Sequence, residues 1–253
     1  MNRNDYARAG LVGVGTPQAN PTVEAEFRIM LPPQVGMAVV RLTSGSERPE
    51  DRLREYLERL DATLQEYDVL RPDAFGFACT GSSYIVGKEA EDRILTAIQG
   101  HFDFPIITAT AAIAKELDRI NARRIAIASP YPPSLVSAAV TYWESLGYQV
   151  VDLRRIAIAS GDTRGIYDLG SADARTAVDD LATLATDAVL LSGTGMPSLP
   201  LIADPPPGPP LLSSNACLAS ALCAALGLER LAPRQWHGRL AEALMPSKGP
   251  TPA

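Results

Sequence analysis

Cys79 opens the stretch CTGSSY, directly behind the apolar run AFGFA. A thiol set among hydroxyls and glycine N–H groups can give a proton to a carbanion, take one, or add to an electrophilic carbon. Donors gathered around it suit a carboxylate or an enediolate, because they are aimed in advance at developing negative charge. The stretch has a partial echo downstream in LLSGTGMPSL, residues 190–199, where Gly193 takes the place of the cysteine. The turn therefore carries donors twice and a thiol once. Cys217 and Cys223 fall in an apolar helical run and read as buried structural residues. His101 and His237 belong to no motif, and Glu24 and Glu26 read as a solvated or N-terminal helical face.

Such turns need strands to aim them. Short apolar strands (AGLVGVGTP, VGMAVVRL, PDAFGFACT, FPIITAT) alternate with amphipathic helices at residues 51–67, 89–100 and 112–120. The series then restarts with strands ARRIAIASPY, YQVVDLRRI, DAVLLSGTG and PPLLSSNA. Its helices fall at 133–147, stopped by Gly147, and at 171–184 and 217–228. This alternation predicts parallel sheets covered on both faces. The restart is an internal repeat: Pro17 and Pro130 are 113 positions apart, Cys79 and Gly193 114, Pro105 and Pro210 105. The drift in the last pair predicts a shorter strand-to-strand connection in the second half. The expected organisation is a first α/β half over residues 1–115, with a C-terminal helix 226–245 packing back on it, and a second half over 116–225. Residues 204–210, DPPPGPP, read as a rigid connection and 246–253 as a flexible tail. In open parallel sheets ligands bind beyond the carboxyl ends of the strands, so facing halves would bring the turns at 16–20, 79–84, 129–133 and 193–198 to one cleft.

Composition narrows the partners. The formal net charge is −6 with no basic stripe, which argues against nucleic acid. No run approaches the length of a membrane span and no apolar signal segment follows the first residues, so no membrane is expected and the cytoplasm is. Three unclustered cysteines and two isolated histidines predict no disulfide framework and no metal site.

In order and spacing, GTPQANPTVEAEF, CTGSSY, IASPYPPSL, LLSGTGMPSL and LLSSNA resemble the aspartate/glutamate racemase superfamily. Within it the resemblance is to the branch holding maleate cis-trans isomerase and arylmalonate decarboxylase, over about residues 8–228. It implies two pseudo-symmetric Rossmann-like halves, each a parallel sheet flanked by helices, with the active site in the cleft between them. It further implies a cofactor-independent enzyme acting on a small dicarboxylate. Homo-oligomers are common in that family, so a homo-oligomer is an expectation here. By the same resemblance Cys79 is catalytic, and Asn20, Thr80, Ser82, Tyr131, Thr194, Gly195 and Asn215 bind substrate. Gln18 is the repeat counterpart of Tyr131 and carries no expected role.

Racemases and the maleate isomerase of the superfamily use two cysteines, one per half, and the decarboxylase only the second. This chain, with Cys79 and Gly193, mirrors the decarboxylase. The resulting expectation is decarboxylation of a malonate-type acid through an enediolate protonated by Cys79, giving the opposite product hand from the known decarboxylase. Maleate-like isomerisation or racemisation is the alternative, and a non-catalytic dicarboxylate-binding protein the second. Gly193→Cys is expected to add racemase-like behaviour. GVGTPQ lacks the complete pattern of a nucleotide loop.

Overall fold

The runs GLVGVGTP and RIAIAS become the central strands β1 (Gly10–Pro17) and β5 (Arg124–Ser129), buried along almost their whole length. In the computed structural model, which describes residues 5–159 and 161–245, each has parallel neighbours on both sides. Strand β1 pairs with β2 (Val35–Leu42) and β3 (Ala74–Phe77), and β3 with β4 (Ile106–Thr108). Strand β5 pairs with β6 (Gln149–Arg155) and β7 (Ala188–Leu191), and β7 with β8 (Leu211–Ser213). The sheet orders β2-β1-β3-β4 and β6-β5-β7-β8 are the same pattern, so the internal repeat is a repeat of topology.

Helices α1 (Thr22–Met30), α2 (Pro49–Glu58), α3 (Leu60–Gln65), α4 (Thr80–Val86), α5 (Lys88–Gln99) and α6 (Ala109–Arg119) accompany the first sheet. Helices α7 (Pro133–Ser145), α8 (Arg175–Ala182), α9 (Leu199–Ala203) and α10 (Ser214–Ala225) accompany the second, and α11 (Pro233–Ala243) follows. Gly147, at φ +83°, stops α7 as expected. The drift in repeat spacing has a simple origin: α4 and α5 separate β3 from β4, while α9 is the one α-helix between β7 and β8.

Three local expectations need amendment. The helix read over 51–67 breaks at Arg59, because α2 packs on α4 whereas α3 turns to pack on β2. The helix read over 171–184 begins as a 3-10 turn, Ser171–Ala174. Helices α4 and α9 were not anticipated, and α1 only as the helical face assigned to Glu24 and Glu26; α4 is short and its GSSY residues look like turn chemistry.

Helices α6 and α10 pack on each other, and α10 also lies on β3 and β4 of the first sheet, with Leu218 and Leu222 against Gly76. A boundary at 115/116 would cut α6. Helix α11 packs on both α1 and α9, and Arg239 donates to the carbonyls of Ile29 and Met30 at the end of α1. Residues 246–253, read as a flexible tail, lie outside the described residues. Among the described residues no helix is long and apolar enough to cross a membrane, and no group of three or more His, Cys, Asp or Glu could hold a metal ion.

Candidate active site

The carboxyl ends of β1, β3, β5 and β7 meet at one small cavity. It is lined by Pro17, Asn20, Leu53, Cys79, Tyr131, Thr163, Ile166, Tyr167, Gly193, Thr194 and Gly195. Hydrogen bonds tie the four turns together across the two halves. The Thr194 hydroxyl donates to the Ala78 carbonyl at 2.8 Å, and Asn20 Nδ2 donates to Thr194 Oγ1 at 3.4 Å. The hydroxyls of Thr80 and Tyr131 are 2.8 Å apart, and those of Tyr84 and Ser192 2.9 Å.

Cys79 leaves β3 in extended conformation as the residue before α4, which turns its side chain into the cavity mouth while keeping it 3% exposed. Burial pushes its thiol upward, and the Ser82 hydroxyl, donating to Sγ at 3.2 Å, pulls it back together with the N–H groups of Ser82 and Gly81. The resting cysteine is therefore a thiol at neutral pH. The Tyr131 hydroxyl also lines the cavity, held well above its usual value by burial and by the nearby sulfur. No carboxylate, histidine, lysine or arginine lines the cavity among the described residues.

Asn20 is fixed by its side-chain Oδ1, which accepts from the N–H groups of Thr22 (2.9 Å) and Val23 (3.3 Å) at the start of α1. That leaves Nδ2 directed towards Thr194 and the cavity. The N–H groups of Thr194 and Gly195 have no acceptor among the described residues, so they are available to an anion. Thr80 and Ser82 stand one layer behind the wall, holding Tyr131 and Cys79 respectively. Asn215 also stands behind it: Nδ2 donates to Glu26 (2.7 Å) and to the Thr194 carbonyl (3.1 Å), so its amide positions the second turn instead of facing the cavity.

Gly193 has φ +119°, a conformation that side-chain-bearing residues rarely adopt. A side chain at this position is strained by the backbone and not by lack of space: a Cβ there would have Pro130 Cδ at 3.6 Å and Tyr131 Oη at 3.8 Å.

Glu26 overturns its sequence reading. It is 4% exposed and its carboxylate crosses to the second half, accepting from the N–H groups of Ser198 and Leu199, the Ser198 hydroxyl and Asn215. Burial raises its carboxyl and these donors lower it. A signal was present: Val23, Glu26, Phe27 and Met30 recur at helical spacing and share the buried face of α1. Glu24 does face outward, paired with Arg41, and Gln18 accepts from the Ser44 N–H away from the cavity. His101 pairs with Asp61 at 2.7 Å on the surface. Cys217 and Cys223 are buried in α10, with thiols pushed up to about 12 and about 11 by burial.

The sequence reading also missed the cover. A 3-10 turn, Thr163–Asp168, lays Thr163, Ile166 and Tyr167 over the cavity. Arg52, 3% exposed on α2, holds it from the other half by pairing with Asp162 and donating to Thr163 Oγ1 at 3.4 Å. Nothing in the polar, glycine-bearing string around residue 163 announces a lid. Under this cover the cavity measures about 30 Å³, room for one or two waters. Larger spaces exist, one of about 230 Å³ beside Trp236, but it does not include Cys79. The motif residues, not the larger volume, mark the chemistry.

The chain matches the family model described as "Arylmalonate decarboxylase" over residues 35–240. It is 28% identical over 236 residues to a maleate isomerase of Pseudomonas putida, covering 88% of this chain and 94% of that one. Among solved structures it is similar to a mutant of Nocardia farcinica maleate cis-trans isomerase with a covalently bound succinylcysteine intermediate. There the TM-score is 0.76 at 22% identity, covering 87% of this chain and 93% of that one. A glycine-to-cysteine mutant of arylmalonate decarboxylase gives a TM-score of 0.70 at 18% identity, covering 86% of this chain and 93% of that one.

Proposed function

The chain belongs to the arylmalonate decarboxylase family, and on that premise we propose that it is a cofactor-independent cis-trans isomerase of a small cis-enedioate such as maleate, working through Cys79 alone. The observation that carries this reading is one thiol, in the first-half turn, facing a cavity whose other polar groups are neutral donors from both halves. The full-length similarity to maleate isomerases and the covalent intermediate of one such relative support addition by that thiol.

The steps balance without a second acid–base group. Sγ–H gives its proton to the adjacent carboxylate of the bound dianion. That moves one negative charge from the carboxylate to the sulfur, which makes the sulfur nucleophilic and the conjugated carbon more electrophilic. The thiolate sulfur then forms the S–C bond as the C=C π electrons move onto the protonated carboxyl, giving an enediolate with one oxygen protonated and one negative. Asn20, Tyr131 and the N–H groups of Thr194 and Gly195 would hold the oxygens of both carboxyl groups. Rotation about the new single bond, collapse of the enediolate, rupture of S–C and return of the proton to sulfur give the trans acid.

A malonate-type decarboxylation is the second reading, favoured by the single thiol and by the apolar side chains of Leu53, Ile166 and Pro17 on the cavity wall, which suit a carboxylate about to be expelled. One experiment tests both. Purified protein, without added metal or cofactor, is incubated separately with maleate and with a phenylmalonate, and fumarate and CO₂ are measured. Fumarate from wild type, a loss of about 10³-fold or more in Cys79→Ala, and an acid adduct on the Cys79 peptide are the expected results. CO₂ without fumarate would replace the isomerase by the decarboxylase. Dicarboxylate binding with neither product would leave a binding protein.

A further inference from the structure

Helix α1 belongs to the first half, yet two of its side chains, four residues apart, grip the second-half turn. Thr22 Oγ1 donates to the Gly195 carbonyl at 2.6 Å, and Glu26 takes the N–H groups of Ser198 and Leu199, the latter at 2.9 Å. Between these points Asn215 bridges Glu26 Oε2 to the Thr194 carbonyl. Both partners of Nδ2 are acceptors, so the amide orientation is settled by chemistry. Its Oδ1 is left buried without a hydrogen bond among the described residues, and Asn215 is 1% exposed. An amide held in that unfavourable state indicates how strongly the carboxylate and the Thr194 carbonyl fix it.

We infer that Glu26 is a positioning residue: from across the cleft it sets the backbone of Thr194 and Gly195, so that their N–H groups meet the substrate carboxylate. The consequence for turnover rests on the dicarboxylate reading above; the consequence for the turn itself does not.

Glu26→Gln is the informative change. A glutamine has one acceptor oxygen, which can keep the Ser198 and Leu199 N–H groups, but its NH₂ then meets the NH₂ of Asn215. Asn215 relieves that clash by flipping, which satisfies Oδ1 and releases the Thr194 carbonyl. The test is hydrogen–deuterium exchange of the full chain without ligand, followed by maleate kinetics. Exchange in a peptide covering residues 192–199 should accelerate at least tenfold in Glu26→Gln, with residues 79–86 within twofold of wild type. KM for maleate should rise about tenfold with kcat within threefold, and Glu26→Asp, which keeps the charge, should recover part of the change. Iodoacetamide should alkylate Cys79 at the wild-type rate, since a merely structural role would open the cleft and expose the thiol. Should Glu26→Gln not fold, Thr22→Val removes the other end of the grip and should raise exchange over the same peptide about threefold. Unchanged exchange in 192–199, or equal acceleration in both peptides with faster alkylation, overturns the inference. A wild type inactive on maleate refutes the functional reading while the exchange result still decides the grip.

Discussion

At the scale of single residues, the asymmetry between Cys79 and Gly193 governs what the site can do. The Cys79 thiol is raised by burial, so its thiolate fraction is small at neutral pH and grows as pH rises. The proposed first step spends the thiol proton, so maleate turnover should hold level from about pH 7 to pH 9 and fall above that as the thiol ionises, a single descending limb that a pH–rate profile would reveal. Of the glycines around the cavity, a Cβ on Gly81 would crowd Leu53 at 3.2 Å and one on Gly195 would strike Tyr167 at 2.7 Å, whereas Gly193 leaves space. A methyl group on the substrate carbon facing Gly193 fits that space, so 2-methylmaleate should be isomerised with kcat/KM within tenfold of maleate. Gly193→Ala should lower the ratio of the two constants, a comparison that cancels general losses. The backbone strain at φ +119° should cost Gly193→Ala or Gly193→Cys about 1–3 kcal/mol, readable as a lowered denaturation midpoint. The thiol and its missing counterpart were legible from residue types alone. The burial of Glu26 was half legible, because its helical spacing with Val23 and Phe27 is in the string but the partner it reaches, Ser198, is 172 positions away.

At the scale of elements, the strands were predictable and the cover was not. Alternating apolar runs suffice to place parallel strands, since both faces of such strands must be buried wherever they lie. The 3-10 turn Thr163–Asp168 obeys no periodicity; it is held by Arg52 reaching over from α2. This turn narrows the cavity to about 30 Å³, so its displacement is expected to accompany substrate entry. Arg52→Ala should cost about 1–2 kcal/mol of stability, Asp162 keeping its contact with Arg164. It should also accelerate alkylation of Cys79 by iodoacetamide at least tenfold, and stopped thiol-labelling measures that directly. A rate equal to wild type would mean that the pair does not hold the cover closed.

At the scale of the whole molecule, three buried thiols link stability to pH. Unfolded cysteines titrate near 8.5, whereas Cys217 is pushed up to about 12 and Cys223 to about 11 in the fold, with Cys79 also raised. Above pH 8.5 the unfolded chain has therefore lost protons that the native chain keeps, so stability is intact below that value and falls as pH rises. For fully buried Cys217 the loss at pH 10 is roughly 2 kcal/mol, and calorimetric Tm should decline between pH 8.5 and 10, with a shallower slope in Cys217→Ala. The amino-acid sequence by itself determined the two-fold repeat, the parallel sheets and the single thiol, because apolar periodicity and turn chemistry are local and hold whatever lies opposite. Only the tertiary structure decided that Asn215 serves Glu26 and Thr194, that Gly193 carries a left-handed backbone, and that a turn held by Arg52 covers the cavity. Those outcomes depend on which atoms the two halves bring within hydrogen-bonding distance, and no spacing along one chain encodes that.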